Sequence, residues 1–160
     1  MKKIKYKIIN SPVGALKIVA SNDKLAAIVW DNEKLHRVKI SEMIEDPLDS
    51  FLKKVEKQLN EYFQKKRKSF DLPIDLQGTS FQKSVWEWIY QIPYGSKWSY
   101  KDIAEKICNP KGMRAVGAAT GKNPISIIIP CHRVISANGN LTGFAGGLDR
   151  KKILLDLEST

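Results

Sequence analysis

A cysteine, a histidine and an arginine stand in succession at Cys131, His132 and Arg133, directly after the apolar run Ile125-Ser126-Ile127-Ile128-Ile129 and Pro130. Such a run must be buried, so a thiol leaves an apolar segment with an imidazole and a guanidinium beside it. Nearby cations or a base raise the thiolate fraction, and the thiolate is the nucleophilic form of cysteine. Adjacent residues of an extended chain point to opposite sides, so contact between Cys131 and His132 needs a bend or a bridging water. The same pattern also suits an inert cysteine, because free cysteine is among the most buried residue types. Metal ligation is not expected: Cys108, Cys131, His36 and His132 lack paired ligand spacing, and no CxxC occurs. Gly143-Phe144-Ala145-Gly146-Gly147 matches neither a phosphate-binding loop nor a dinucleotide fingerprint, so no nucleotide cofactor is expected.

The elements that must position this stretch are helical. Thr79-Ser80-Phe81-Gln82 has the spacing of a capping box and opens a helix lined by Phe81, Val85, Trp88 and Ile89, which Ile92-Pro93-Tyr94-Gly95 ends. Ser99-Tyr100-Lys101-Asp102 repeats the capping pattern and predicts a short helix through Ile107. Asn109-Pro110-Lys111-Gly112 breaks it, with Cys108 at the break read as structural, and Met113 to Ala119 begins another helix. Two short helices joined by a turn suggest a helix-turn-helix. The second is nearly all small residues apart from Arg114, which suits close approach either to a phosphate backbone or to another helix.

The first half reads differently. Ile4 to Ile8, Leu16 to Ala20 and Leu25 to Trp30 alternate with period two around Ser11-Pro12-Val13-Gly14 and Asn22-Asp23, predicting three antiparallel strands. Strands so few need a covering helix, and Leu48, Phe51, Leu52, Val55, Leu59, Tyr62 and Phe63 supply it. The stretch from Lys65 to Gly78 reads as a link, giving domains at 1–76 and 77–160. The chain has 160 residues, 27 Lys and Arg against 17 Asp and Glu, and a net charge of +10. That excess favours a polyanionic partner such as nucleic acid, or serves solubility alone. In the second half the cations concentrate at Lys97, Lys101, Lys106, Lys111, Arg114, Lys122 and Arg133. The lysines of 53–68 read as a solvated helix face. No apolar run nears the roughly 18 residues of a membrane span, no secretory signal is visible, and two cysteines fit a reducing compartment. A cytoplasmic protein without membrane association is expected.

The ordered series Pro93-Tyr94-Gly95, Ser99-Tyr100, Arg114-Ala115-Val116-Gly117, Asn123-Pro124, Ile129-Pro130-Cys131-His132-Arg133-Val134 and Gly146-Gly147-Leu148 closely resembles the O6-alkylguanine-DNA alkyltransferases. The resemblance runs from about Thr79 to Glu158. It implies an α+β protein with a small N-terminal sheet and covering helix of ribonuclease-H-like form. A mostly helical, winged-helix-like DNA-binding domain would follow. It also implies irreversible, stoichiometric transfer of a methyl group from O6-methylguanine, and from O4-methylthymine, to Cys131, without S-adenosylmethionine or any other cofactor. His132 would deprotonate Cys131 through a water, Glu158 would orient the imidazole, and Asn123 would hold the turn before the active segment. Tyr100 would hydrogen-bond guanine N3. Carbonyls of Cys131 and Val134 would accept from the guanine amine, and the Ala145 amide would face O6. Ser126 and Phe144 would complete the pocket, Ser126 standing where some relatives carry proline. Thr142, Phe144 and Ala145 also differ from some relatives at the rim. Arg114 would take the place of the extruded base, with Ala115, Gly117, Ala118, Lys122 and Arg133 against DNA. The partner implied is a duplex containing O6-alkylguanine, bound by a monomer that is nucleoid-associated while on DNA.

Base flipping follows from the chemistry, since sulfur cannot reach O6 in line while the base stays stacked. Structural zinc is not expected in a first half with no cysteine and only His36. Two rivals remain: a module that binds alkylated bases without repairing them, which would not need Cys131, and a Cys-His hydrolase, which would need an oxyanion hole and turnover.

Overall fold

The computed structural model describes residues 3–31, 43–136 and 147–159, in two units, Met1–Leu76 and Gln77–Thr160. Together they make a mixed α+β protein with a small sheet in the first unit and mainly helices in the second. In the first unit β1 (Ile4–Ile9), β2 (Leu16–Ser21) and β3 (Lys24–Trp30) form an antiparallel meander, and β4 (Ile44–Glu45) adds to β1 in parallel, giving the order β3-β2-β1-β4. The two-residue β4 lacks any alternating pattern, which is why the sequence shows three strands and the structure four.

Helix α1 (Ser50–Phe63) buries Leu52, Val55, Gln58, Leu59 and Tyr62. Leu48 is not part of it and stands 76% exposed, because the Asp49 carboxylate accepts from Leu52 N at 3.0 Å and starts the helix one residue later. Two lysines of β1 reach α1, Lys5 donating to Asp49 at 3.1 Å and Lys7 to Glu56. Ile8, on the opposite side of the pleat, is exposed. Lys53, Lys54, Lys57, Lys65, Lys66 and Lys68 are exposed.

The stretch after α1 is stitched to the unit rather than hanging free. The Gln58 amide donates to Asp71 O and accepts from Asp71 N, while Leu25 N donates to Pro73 O and Asp75 N to Leu25 O, both at 2.8 Å.

In the second unit both capping boxes form. They open α2 (Ser80–Tyr90) at Thr79 with Gln82, and α3 (Tyr100–Lys106) at Ser99 with Asp102. The inward face of α2 is Val85, Trp86 and Ile89, with Phe81 exposed and Trp88 half-buried. Trp86 takes the inner position because its indole N–H donates to Ala119 O at 2.8 Å, tying α2 to α4 (Met113–Gly121). Cys108 ends α3 through its backbone. Its φ is +60°, its N–H donates to Glu105 O and that of Asn109 to Ala104 O, while its side chain is exposed. Short parallel strands β5 (Trp98–Ser99) and β6 (Val134–Ile135) pair on either side of the active segment, and α5 (Leu148–Glu158) closes the unit. No helix among the described residues is long and apolar enough to cross a membrane.

The Asp49 carboxylate caps α1 and receives Lys5. Burial pushes its pKa up, but the Leu52 amide and the Lys5 ammonium outweigh that and hold it below the usual aspartate value. A lowered folded-state pKa gives stability that is present above the unfolded value and lost as pH falls through the folded one. Asp49→Ala should therefore cost about 1 kcal/mol at neutral pH. Urea unfolding should show the difference from wild type shrinking on acidification below about pH 4.

Candidate active site

The chain reaches Cys131 through eight consecutive buried residues, 123–130, whose backbone is unusually tightly turned. Asn123 is fully buried just beyond the end of α4. Its Nδ2 donates to Ile129 O at 2.8 Å and its Oδ1 accepts from Ile125 N at 3.0 Å, so one side-chain amide holds both ends of the loop. Inside that clasp Ile127 has φ +75°, and Ile128 N donates to Ser126 O at 2.9 Å, making a γ-turn of the rare left-handed form. A β-branched residue there costs about 1–3 kcal/mol and persists only where its surroundings dictate it. Pro130 follows in the mirror form (φ −80°, ψ 65°), with Cys131 N donating to Ile129 O at 2.7 Å. Cys131 then opens a 3-10 turn, Cys131–Arg133, rather than an extended strand. The extended-chain expectation for Cys131 and His132 is corrected: the two γ-turns and the Asn123 clasp coil the backbone at this point.

Cys131 is 3% exposed and His132 is wholly buried. His132 Nε2 lies 2.7 Å from Glu158 Oε2. A carboxylate only accepts, so in the neutral imidazole Nε2 carries the hydrogen and Nδ1 is left with a lone pair. That Nδ1 is buried and has no hydrogen-bond partner. Burial pushes the His132 pKa down, and this outweighs the raising effect of Glu158, while the charges of Arg133 and Lys151 lower it further. The ring is therefore a neutral base with its accepting nitrogen directed inward.

Glu158, the last residue of α5, is gripped from two sides. Arg133 Nε donates to its Oε1 at 2.7 Å and Arg133 Nη2 to its Oε2 at 2.8 Å, while Arg133 Nη1 donates to Ile92 O at 2.7 Å. The guanidinium also lies over the Tyr94 ring, 5.6 Å from its centroid. Gly95 adopts φ +81° in the same turn, and a Cβ there would stand 3.4 Å from the Glu158 carbonyl oxygen, so Pro93-Tyr94-Gly95 is shaped to the end of α5. Arg133 is corrected as a DNA contact. It is 6% exposed and its donors are spent on Glu158 and Ile92.

The other predicted residues divide by exposure. Arg114, Ala115, Ala118 and Lys122 are exposed on α4, whose Val116, Ala119 and Thr120 are buried. Gly117 is half-buried, and a Cβ there would sit 3.9 Å from the Tyr100 ring, so α4 and the start of α3 adjoin at these two residues. Ser126 and Val134 are buried. Val134 N donates to Cys131 O, and Val134 O accepts from Lys151 Nζ at 2.7 Å. Phe144, Ala145, Thr142 and His36 lie outside the described residues. Among the described residues no group of three or more His, Cys, Asp and Glu could hold a metal.

Sequence reasoning missed Lys151, the Ile92 carbonyl and the packing of Tyr94 on Arg133. Lys151 had a signal: Lys151, Leu154 and Glu158 recur at spacings of three and four, the inward stripe of a helix.

Family models match the whole described architecture. One described as the DNA binding domain of 6-O-methylguanine DNA methyltransferase matches residues 80–160, and one described as its ribonuclease-like domain matches residues 4–76. A Methanosarcina acetivorans protein named methylated-DNA–protein-cysteine methyltransferase is 43% identical over 155 residues, covering 97% of this chain and 98% of that protein. A Mycobacterium tuberculosis protein of the same name is 43% identical over 162 residues, covering 98% and 93%. Among solved structures, M. tuberculosis OGT in complex with DNA superimposes with a TM-score of 0.90 at 41% identity, covering 97% of this chain and 92% of that one.

Two arginines once grouped together should now separate in a stability experiment. Removing one partner of a buried ion pair costs about 3–5 kcal/mol, so Arg133→Met should lose that much in urea unfolding. Arg114→Ala should stay within about 0.5 kcal/mol of wild type, as exposed substitutions do. A loss under about 1 kcal/mol at Arg133 would free its side chain for an outside contact.

Proposed function

The chain belongs to the 6-O-methylguanine DNA methyltransferase family, matched along both of its units, and from that membership we propose that it repairs DNA by moving an alkyl group from guanine O6 onto Cys131. The observation that carries the assignment to Cys131 is the buried thiol at the head of a turn whose next residue is a neutral, inward-directed base held by Glu158.

His132 Nδ1 takes the thiol proton through a bridging water. The sulfur attacks the methyl carbon, a sulfur–carbon bond forms, and the carbon–O6 bond breaks with its electron pair going to the guanine. The base takes up a proton and leaves as ordinary guanine. Nothing in this sequence of steps regenerates the thiol from the thioether, so each molecule acts once.

Tyr100 hydrogen-bonds guanine N3 and so improves the leaving group. The carbonyls of Cys131 and Val134 receive the guanine amine, each having a second lone pair beyond the bonds already made to Val134 N and Lys151. Ser126, Phe144 and Ala145 shape the pocket. Exposed Arg114 fills the gap left by the flipped base, and Ala115, Gly117, Ala118 and Lys122 present a face small enough to lie in the minor groove. Flipping costs a few kcal/mol, less for a poorly paired lesion, and phosphate contacts offset it. Action on O4-methylthymine, a monomeric state and a cytoplasmic location belong to the same proposal and rest on the family resemblance.

Intact-protein mass spectrometry after mixing with an equimolar duplex holding one O6-methylguanine should show one added CH2 unit, mapped to Cys131, with repair saturating at one lesion per protein. Cys131→Ala should bind that duplex and gain no mass. Tight binding by wild type without mass gain would instead make the protein a recognition module.

Arg114→Ala should slow repair in duplex far more than reaction with the free O6-methylguanine base. Equal losses on the two substrates would defeat the intercalating role.

A further inference from the structure

The buried ionisable groups of the second unit do not balance without the thiol. Arg133 and Lys151 are buried cations, and Glu158 is the one buried carboxylate among the described residues. His132 is neutral, and Arg133 occupies both oxygens of Glu158. One positive charge is left over, and it sits on Lys151.

Lys151 is fully buried on the inward stripe of α5, with its Nζ donating to Val134 O at 2.7 Å. Val134 directly follows the 3-10 turn that Cys131 opens, so this bond seats the ammonium against the turn bearing the nucleophile. Lysine is rarely buried without a paired charge. The ionisable groups around it are His132 and Arg133 of the turn, Glu158 of α5 and Tyr94 of the turn after α2. The other charged residues of α5 point elsewhere, Asp149, Lys152 and Asp156 being exposed and Arg150 half-buried.

We propose that Lys151 is a positioning residue for the alkyl transfer: the counter-cation that holds Cys131 as a thiolate at rest, with its ammonium fixed by the Val134 carbonyl. Burial pushes the Lys151 pKa down, and a charge on Cys131 pulls it back up. The inference rests on the reading of Cys131 as the alkyl acceptor. It adds a consequence to that reading, because transfer turns the thiolate into a neutral thioether and leaves Lys151 without its counter-charge in the interior.

The ultraviolet absorbance of the thiolate, followed against pH and corrected with Cys131→Ala, tests the resting state in the native protein. The Cys131 thiol should titrate below the roughly 8.5 of free cysteine. Lys151→Met keeps the apolar volume and removes the charge. It should move both the thiol titration and the pH profile of methyl transfer upward by about one unit or more, with about tenfold slower transfer at neutral pH that recovers in alkali. Lys151→Arg should restore most of the wild-type profile. On methylation, wild type should lose more thermal stability than Lys151→Met does.

An ordinary thiol pKa in wild type, an unmoved pH profile in Lys151→Met, or equal stability losses on methylation would each overturn the proposal. If wild type gains no methyl group from the lesion duplex, the reading of Cys131 as acceptor fails. The thiol titration then still decides whether Lys151 holds a thiolate.

Discussion

A carboxylate with almost no access to water sits at the end of α5, and the second unit is built around satisfying it. Glu158 cannot stay charged in a low-dielectric interior without strong donors. Arg133 meets it through two nitrogens and His132 through a third. These partners are neighbours on a three-residue turn, which must therefore be coiled so that both side chains reach the same helix end. The Pro93-Tyr94-Gly95 turn then packs round the pair from the other side, with the Ile92 carbonyl and the Tyr94 ring on the guanidinium. One ionic constraint thus fixes the end of α2, the end of α5 and the turn carrying Cys131 at once.

The second constraint is backbone geometry. A left-handed Ile127 is unfavourable on its own, yet the fold keeps it because Asn123 pins both ends of the loop and the isoleucines around it are buried. Straightening this loop would break two buried hydrogen bonds and expose apolar surface, each worth about 1 kcal/mol or more. Asn123 lies only two residues past Gly121, the last of α4, so the helix with the exposed Arg114 and the turn with the nucleophile are joined through a stretch that has little freedom. A base delivered at α4 meets a thiol whose position is already set, which is the preorganisation that a displacement at carbon requires.

Much of this was legible in the sequence, and what was not has a physical reason. The meander, both capping boxes, the paired helices and the burial of 125–129 all follow from periodicity and local chemistry, which one stretch of chain contains in full. Leu48 and Trp88 were assigned by apolar character, but a capping aspartate and an indole hydrogen bond decided those positions instead. Arg133 was grouped with the DNA-facing cations because sequence shows charge without burial. Its partner lies 25 residues away, and only the folded chain brings them together. The γ-turn at Ile127 left no sequence trace, since isoleucine there argues against the conformation that it adopts. Lys151 was visible as the charged member of a helical stripe, but charge on an inward stripe reads as a contradiction until its partners are known.

The net charge of +10 therefore mixes two kinds of cation that obey different physics. Lys101, Lys111, Arg114 and Lys122 are exposed, and any attraction they exert on phosphate is screened over about 10 Å and weakens steeply with salt. Arg133 and Lys151 are buried, where dissolved ions do not penetrate and the effective dielectric is low, so the charges they set on Glu158 and Cys131 are insulated from ionic strength. Encounter with DNA and reactivity at sulfur are thus controlled separately within one short stretch of chain. A protein that spends itself in a single reaction gains from that separation, because its nucleophile stays charged and shielded until a base is inserted, whatever the medium does to its hold on the duplex.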